Sequence, residues 1–491
     1  MAERPNLVID AGSTSTRAML FAPDGACLGI ESRAIAQSYP QPGWVEHDAE
    51  EIWSSSLACA RAMVRKAGAA DRIAAIGITN QRETIAFWSR RTGRALAPAI
   101  VWQDRRTASM CRALQEAGHE PLVQARTGLL LDPYFSATKI AWALNHWPQL
   151  REAGDDLCVG TIESWIVFRL TGGLHVTDAT NASRTALMDI TSGQWDRELI
   201  DLFGVSVHAL PEIIDCAGEI ATCSPDQFGG SIPIAGLAGD QHAAAIGQAC
   251  LAPGDTKATY GTGAFVLTHV GSNPPVSRHR LLGTIAWQLG GTRSYALEGS
   301  VFVAGSLIKW LRDALGLIET AEQTEALARS VESSGGVQIV PAHSGLGAPH
   351  WRPHATGAIS GLTLGTGRAN IARAALEAMA HQTHDLMTAF AADGAAWSCL
   401  RIDGGMAANG WMAQDLADML ALPVERPAFV ETTALGAAML AGVGCGLFES
   451  LDQAASMRST VERFDPQMST RTRQERLQGW QAAIAGVLTR C

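Results

Sequence analysis

One carboxylate occurs in a setting that suits proton transfer. Asp240 follows the apolar segment 232–237, within the short sequence Gly239-Asp240-Gln241. A carboxylate at the end of a strand can serve as a general base or as a metal ligand. The same residue could instead cap a helix that starts at Gln241. Both interpretations place Asp240 where a strand meets a helix.

Two turns rich in glycine and hydroxyl residues could hold phosphate groups. The second turn is 261–263, which contains Thr262, and the first comprises Gly12, Ser13, Thr14 and Ser15, flanked by Asp10 and Arg17. Small residues let backbone N–H groups approach an anion. Arginine can neutralise phosphate charge, and Asp10 could hold Mg²⁺. Both segments could equally be ordinary tight turns. The common nucleotide-binding motifs G-x-x-x-x-G-K-[ST] and G-x-G-x-x-G after a strand do not occur, so any nucleotide site is of another type.

A charged pair and three aromatic residues could bind a polyol. Arg82 and Glu83 follow a strand-like segment, 72–79, and offer donors beside acceptors, which hydroxyl groups need. Trp102, Tyr134 and Phe265 could pack on the carbon face of such a ligand. The alternatives are a surface ion pair and ordinary core aromatics.

The segment 401–409 combines a strand, a glycine turn and a helix start. Glycines such as Gly405 permit close contact with a base or a phosphate, and a helix start such as the one near Asn409 favours anions. An ordinary strand-to-helix turn would have the same sequence.

These residues must be positioned by strands and helices. Strand and helix signals alternate along most of the chain, which is typical of α/β proteins. Residues 6–21 predict a β-hairpin, and 256–267 predict a second one with a similar turn. The similarity suggests an internal duplication. We therefore predict two lobes, 1–250 for the polyol site and the phosphate hairpin, and 251–491 mainly for the nucleotide.

Composition excludes several classes of protein. With 47% hydrophobic and 18% charged residues, the 491-residue chain is not disordered. A net charge of −10 disfavours nucleic-acid binding. Ten cysteines without a CxxC motif support neither a zinc site nor a redox pair.

The apolar segment 432–448 is short for a membrane span and predicts a buried helix. The start of the chain lacks the apolar core of a signal peptide. We expect a soluble cytoplasmic protein with reduced thiols, no nucleic-acid partner and no membrane span.

Taken together, these segments resemble the FGGY carbohydrate kinases, which belong to the actin-like ATPase superfamily. The resemblance runs in the family's order from about residue 6 to about 465, and it is carried by segments 42–48, 77–84, 99–107, 132–136, 177–185, 239–241, 260–263, 345–349, 361–363 and 403–405. It implies two duplicated actin-like ATPase (ribonuclease H-like) α/β lobes with a cleft between them.

The resemblance is strongest to the members that phosphorylate glycerol with ATP and Mg²⁺ to give sn-glycerol 3-phosphate. It implies that Asp240 is the general base. It further implies that the polyol contacts Arg82, Glu83, Trp102, Tyr134, Asp240, Gln241 and Phe265. ATP/ADP would contact Ser13, Thr14, Ser15, Arg17, Thr262, Gly305, Lys309, Gly405 and Asn409, and Mg²⁺ would lie near Asp10 and Asp240. A homodimer or homotetramer is also implied.

Some positions depart from the family pattern. They are Ala11 and Lys309 in place of Gln, Ser13 in place of Thr, and His242 where many members have Gln. Ser231 stands where regulated bacterial members carry an arginine that binds fructose 1,6-bisphosphate, which predicts weak or no inhibition by that metabolite. Two alternatives stay open: a family kinase for another small polyol or ketose, such as erythritol, dihydroxyacetone or xylulose, and a nucleotide-switched binding module without polyol turnover.

Overall fold

The computed structural model describes residues 4–352, 354–458 and 461–489, so Cys491 lies outside the described residues. Following the predicted division, we call the chain up to residue 250 the N-terminal lobe and the remainder the C-terminal lobe.

The strands and helices are distributed over both lobes. The N-terminal lobe contains strands β1 (Asn6–Ala11), β2 (Ser15–Phe21), β3 (Cys27–Ala34), β4 (Glu46–His47), β5 (Ile76–Asn80), β6 (Ile85–Ser89), β7 (Ala95–Ile100), β8 (Leu157–Thr161), β9 (Val176–Asp178), β10 (Met188–Asp189), β11 (Gln194–Trp195), β12 (Glu212–Ile214), β13 (Ala217–Thr222) and β14 (Pro233–Gly239). Its helices are α1 (Ala49–Ala67), α2 (Ala108–Glu116), α3 (Glu120–Thr127), α4 (Ser136–His146), α5 (Pro148–Glu152), α6 (Ile162–Thr171), α7 (Ala179–Ala182), α8 (Arg197–Phe203), α9 (Pro225–Phe228) and α10 (Asp240–Gly247).

The C-terminal lobe contains strands β15 (Asp255–Tyr260), β16 (Ala264–Gly271), β17 (Leu282–Leu289), β18 (Thr292–Val301), β19 (Gln338–Val340), β20 (Ala358–Ser360), β21 (Cys399–Asp403), β22 (Val424–Pro427) and β23 (Val461–Phe464). Its helices are α11 (Gly305–Asp313), α12 (Gln323–Arg329), α13 (Arg368–Ala392), α14 (Gly410–Leu420), α15 (Thr432–Gly444), α16 (Leu451–Ala454) and α17 (Thr470–Leu488).

The main sheets of the two lobes share a six-strand arrangement, to which the C-terminal sheet adds β17 at one edge. In the N-terminal lobe the order is β13-β14-β5-β1-β2-β3, and in the C-terminal lobe it is β17-β18-β16-β15-β21-β22-β23. Each lobe starts with an antiparallel hairpin, β1–β2 or β15–β16. The first strand of each hairpin then pairs in parallel with a later strand, β5 or β21. The predicted pair of duplicated α/β lobes is therefore confirmed.

Both predicted hairpins position turns at the same edge of their sheets. Asp10 lies at the end of β1, opposite Arg17 on β2 and level with Thr79 on β5. In the C-terminal lobe the corresponding strand β15 ends at Tyr260, and β21 ends at Asp403. The carboxyl ends of parallel strands are where α/β sheets present ligand-binding residues.

Two closely packed helices, α10 and α15, join the lobes. A Cβ atom at Gly436 of α15 would lie 1.8 Å from the carbonyl oxygen of Ala243 of α10. One at Gly247 would lie 2.0 Å from that of Thr432. The predicted buried helix at 432–448 is thus α15, and its contact fixes α10, which begins at Asp240. Among the residues that the structure describes, no helix combines the length and apolar character needed to cross a bilayer.

Candidate active site

The charged candidates for polyol binding meet around the side chain of Arg82. Its Nη2 donates to the hydroxyl of Tyr134 over 3.2 Å. Its Nε lies 3.3 Å from Oδ1 of Asp240 and 3.8 Å from Oε1 of Glu83. Arg82 and Glu83 are buried, so the alternative of a surface ion pair is wrong. The positive φ of Glu83, 60°, turns the chain between β5 and β6 at this point.

Asp240 occupies the first turn of α10, directly after β14. Its Oδ1 accepts from the backbone N–H of Gln241 over 2.7 Å, and its side chain keeps 33% of its surface exposed. Burial raises the pKa of Asp240, and the charges of Arg82 and Lys257 oppose that rise. The carboxylate is thus both anchored to the helix start and open to the cleft.

The three aromatic candidates form one wall across the lobe boundary. The ring of Trp102 lies 5.7 Å from Tyr134 and 6.0 Å from Phe265, both edge to face. Trp102 and Tyr134 follow elements of the N-terminal lobe, whereas Phe265 lies on β16 of the C-terminal lobe. All three side chains are half-buried rather than enclosed in a core. Their placement therefore leaves ring surface available to a ligand.

Two further charged side chains, Glu298 and Arg184, contact the charged residues of this pocket. Glu298 on β18 accepts from Arg82 over 2.6 Å and from Arg184 over 2.9 Å. Arg184 also donates to Glu83 over 2.6 Å. The sequence patterns assign no role to Glu298, or to Arg184 within segment 177–185. The detectable signal is a carboxylate inside the largely apolar strand segment 295–301.

A buried lysine approaches Asp240 from the C-terminal lobe. The Nζ of Lys257, on β15, donates to Oε1 of Gln241 and, over 2.9 Å, to the hydroxyl of Thr259. Burial lowers the pKa of Lys257 from its usual value. This residue was also missed, although it is one of only four lysines in the chain. It fixes the orientation of the Gln241 amide, because its ammonium group can only donate.

The candidate phosphate-binding residues of the first turn lie in the loop between β1 and β2. The hydroxyl of Ser13 accepts from the indole N–H of Trp102 over 2.8 Å, which connects this turn to the aromatic wall. Thr14 is exposed, and the backbone N–H of Gly12 donates to the carbonyl oxygen of Ser15 over 3.0 Å. Arg17 forms ion pairs of 2.6 Å with Asp10 and with Glu431. In this structure Arg17 therefore neutralises carboxylates.

The second turn faces the start of α11. The carbonyl oxygen of Thr262 accepts from the backbone N–H of Ser306 over 3.1 Å, and the N–H of Gly305 donates to Gly261 over 2.9 Å. A Cβ atom at Gly305 would lie 2.6 Å from that Gly261 oxygen, so glycine is required for this approach. Lys309, on the same helix, is exposed.

The remaining nucleotide candidates lie beyond β21. Gly405 is exposed, and a Cβ atom there would meet nothing within 4 Å. Asn409 caps α14 by accepting from the backbone N–H of Met412 over 2.9 Å, and it donates to Thr324 over 3.2 Å. The predicted strand, turn and helix start are confirmed, with Asn409 in a structural role as well.

His242 is buried against a strand of the C-terminal lobe. Its Nε2 lies 3.1 Å from the hydroxyl of Thr284 on β17, and the side chain is buried. Burial lowers the pKa of His242 well below its usual value, so the ring is neutral at physiological pH. This departure from the family pattern therefore adds no charge beside Asp240.

Two carboxylates could share a magnesium ion. Asp10 lies near enough to Asp240 to raise its pKa further, in addition to the larger effect of burial. The described residues contain no group of three or more His, Cys, Asp or Glu side chains arranged for a metal. Mg²⁺ is usually bound by one or two carboxylates together with substrate phosphates, so this donor set fits that ion.

Known proteins match nearly the whole length of the chain. The model of the FGGY carbohydrate kinase N-terminal domain matches residues 6–247, and that of the C-terminal domain matches 256–445. A glycerol kinase of Methylobacterium nodulans is 53% identical over 99% of this chain and 98% of its own length. One of Rhodospirillum centenum is also 53% identical, with the same coverage.

A solved structure supports the same relationship. The crystal structure of Plasmodium falciparum glycerol kinase with ADP superimposes with a TM-score of 0.92. It is 34% identical and covers 99% of this chain and 98% of its own. The agreement extends through both lobes, and the chain belongs to the FGGY family of carbohydrate kinases.

Proposed function

We propose that the chain transfers the γ-phosphoryl group of ATP to glycerol and forms sn-glycerol 3-phosphate. The observation that carries this proposal is the Nε of Arg82, which is buried without a hydrogen-bond partner beside the partly exposed carboxylate of Asp240. A buried donor without a partner costs free energy unless a ligand satisfies it. A hydroxyl group that contacts both Arg82 and Asp240 would do so.

The pocket supports a small triol as substrate. Arg82, Glu83, Tyr134 and Gln241 supply donors and acceptors for two hydroxyl groups, while Trp102 and Phe265 cover the carbon chain. A longer sugar would have to fit past these two rings, which lie edge to face with their centres 6.0 Å apart. The pocket therefore favours a three-carbon substrate over a pentose.

Asp240 acts as the general base. It accepts the proton of the remaining primary hydroxyl as that oxygen forms a bond to the γ-phosphorus and the bond from phosphorus to the β–γ bridging oxygen breaks. Phosphoryl transfer depends mainly on in-line positioning and charge neutralisation. Arg82 positions Asp240 and the substrate together, because its guanidinium group lies beside the carboxylate.

The nucleotide lies between the two hairpins. Ser13, Thr14, Ser15 and Thr262 offer hydroxyl and backbone donors to its phosphates, and Arg17 can exchange its pairing with Asp10 for a phosphate oxygen. Gly305, Lys309, Gly405 and Asn409 border the nucleoside end. Asp10 and Asp240 would hold Mg²⁺, which neutralises phosphate charge when bound.

A substrate panel tests the proposal. ADP formation is measured with MgATP and glycerol, dihydroxyacetone, erythritol, ribitol, xylulose or ribulose. We expect glycerol to give the highest kcat/KM. A higher value for another polyol or ketose would replace glycerol as the substrate, and ATP binding without polyol-dependent turnover would favour a binding module.

We also propose a homodimer or homotetramer in the cytoplasm. The nine cysteines within the described ranges are free thiols, which supports a reducing compartment. Light scattering on the purified chain tests the assembly state, and cell fractionation tests the location.

A further inference from the structure

The polyol pocket is supported from behind by an ion network that no ligand would contact. Glu298 and Arg184 have no exposed surface, and they belong to different lobes. The two oxygens of Glu298 accept from different arginines, Oε2 from Arg82 and Oε1 from Arg184. The C-terminal lobe thereby fixes an arginine that lies in the N-terminal lobe.

Arg184 contacts the rest of the same pocket. Its Nε donates to Oε1 of Glu83 over 2.6 Å. Its guanidinium carbon lies 5.5 Å from the ring centre of Tyr134, within the range of cation–π attraction. Between them, Arg184 and Glu298 contact Arg82, Glu83 and Tyr134, which are three of the proposed hydrogen-bonding groups for the polyol.

The network is charge-balanced, with two arginines and two glutamates. Although burial alone would raise it, Arg184 and Arg82 lower the pKa of Glu298 to about 2. Glu298 is therefore ionised throughout the physiological range. Removing one member of such a buried group leaves an uncompensated charge, so the remaining side chains must reorient or admit water.

We propose that Glu298 and Arg184 are positioning residues for polyol recognition. They hold the Arg82 guanidinium and the Glu83 carboxylate in the orientation that receives the hydroxyl groups. This inference rests on the proposed glycerol phosphorylation. It assigns to the C-terminal lobe a part in polyol binding besides that of Phe265.

The variant Glu298→Gln tests the proposal with little change in side-chain volume. An amide can accept from only one arginine, and its NH₂ group opposes the other. We expect the KM for glycerol to rise about 10-fold to 100-fold, the range for lost charged hydrogen bonds, while the KM for ATP changes by less than about threefold. A smaller fall in kcat than rise in KM would mark a positioning role.

Asp415→Asn provides a matched control for lost stability. Asp415 is a buried carboxylate of α14 whose Oδ2 accepts from Arg476 of α17 over 2.9 Å, and both lie outside the pocket. This variant should lower Tm as Glu298→Gln does, but it should leave the KM for glycerol unchanged. If Glu298→Gln does not fold, Arg184→Lys is measured instead, since it keeps the charge but cannot reach both glutamates.

The outcomes separate the two proposals. If the wild-type chain shows no glycerol-dependent turnover, the proposed function fails. If the wild type is active and the KM for glycerol is unchanged in Glu298→Gln, or in Arg184→Lys where that variant is used, the positioning role is overturned. An equal rise in the Asp415→Asn control would overturn it as well, because the effect would then reflect general loss of stability.

Discussion

The two ends of the cleft offer different kinds of chemical group for ligand binding. At the polyol end, Arg82, Glu83 and their supporting ions are buried, and each is held by at least one other charged side chain. At the nucleotide end, the candidate groups are hairpin turns and helix starts, and Thr14, Thr262, Lys309 and Gly405 are exposed.

The difference follows from the ligands. A triol is neutral and has few groups, so recognition depends on donors and acceptors in fixed places. A triphosphate has many oxygens and a large charge, so backbone N–H groups in glycine turns can bind it without rigid side chains. Substitutions at the polyol end should therefore affect mainly the KM for glycerol, and substitutions at the nucleotide end mainly the KM for ATP.

The largest expected effect comes from Asp240→Asn. Loss of a general base should reduce kcat by about 10²–10⁴-fold, while glycerol binding persists because Arg82 and Tyr134 stay in place. Turnover is measured by coupled ADP detection, and glycerol affinity by calorimetry. Retention of more than about a tenth of kcat would remove Asp240 from that role.

Arg82→Ala should weaken glycerol binding while leaving ATP binding nearly unchanged. We expect the KM for glycerol to rise by the equivalent of about 1.5–3 kcal/mol, the contribution of hydrogen bonds to charged groups. The KM for ATP should change little. Arg476→Ala, which breaks a buried ion pair elsewhere, controls for stability. An unchanged glycerol KM would exclude Arg82 from the site.

Lys257→Met should shift the pH profile. Burial raises the pKa of Asp240, and Lys257 and Arg82 lower it, while Asp10 raises it further. Because the base must be ionised, activity falls as the pH drops through this pKa. Removing the lysine charge raises the pKa of Asp240, so the acid limb of kcat/KM should move to a higher pH than in the wild type. Lys309→Met, at an exposed position, should leave the limb in place; equal profiles for both variants would contradict the electrostatic effect.

Gly405→Ala should perturb the nucleotide end alone. The added methyl group meets no protein atom within 4 Å, so the fold should tolerate it. If a nucleotide lies against this glycine, the KM for ATP should rise by about fivefold or more, as for an overpacked contact of about 1 kcal/mol. The KM for glycerol serves as the internal control. No change in either constant would place the nucleotide elsewhere.

The smallest effect is expected from fructose 1,6-bisphosphate. Ser231 is exposed and carries no charge for a phosphate group. A kinetic titration into the millimolar range should show weak or no inhibition. Clear inhibition at micromolar to low millimolar concentrations would refute this expectation.

Local signals in the sequence predict much of the fold. Hydrophobic segments and turn residues predict both hairpins, which form at β1–β2 and β15–β16. The apolar, glycine-rich segment 432–448 predicts a buried helix. These features depend on neighbours in the chain, so they can be read without knowing the tertiary contacts.

The supporting side chains of the site could not be predicted in this way. Glu298 meets Arg82 across 216 positions, and Arg184 meets Glu83 across 101. The contact between Glu298 and Arg82 forms only when the two lobes pack together, and the contact between Arg184 and Glu83 forms only when the N-terminal lobe folds. The pairing of Arg17 with Asp10 and Glu431 was likewise hidden, because Glu431 lies 414 residues from Arg17.

The most direct test of the account is the stoichiometry of glycerol-dependent turnover. The purified chain is incubated with MgATP and glycerol, and ADP and sn-glycerol 3-phosphate are quantified together. The account predicts equal amounts of both products and no appreciable ADP without glycerol. ADP formation that does not depend on glycerol, or that yields no glycerol phosphate, would contradict it.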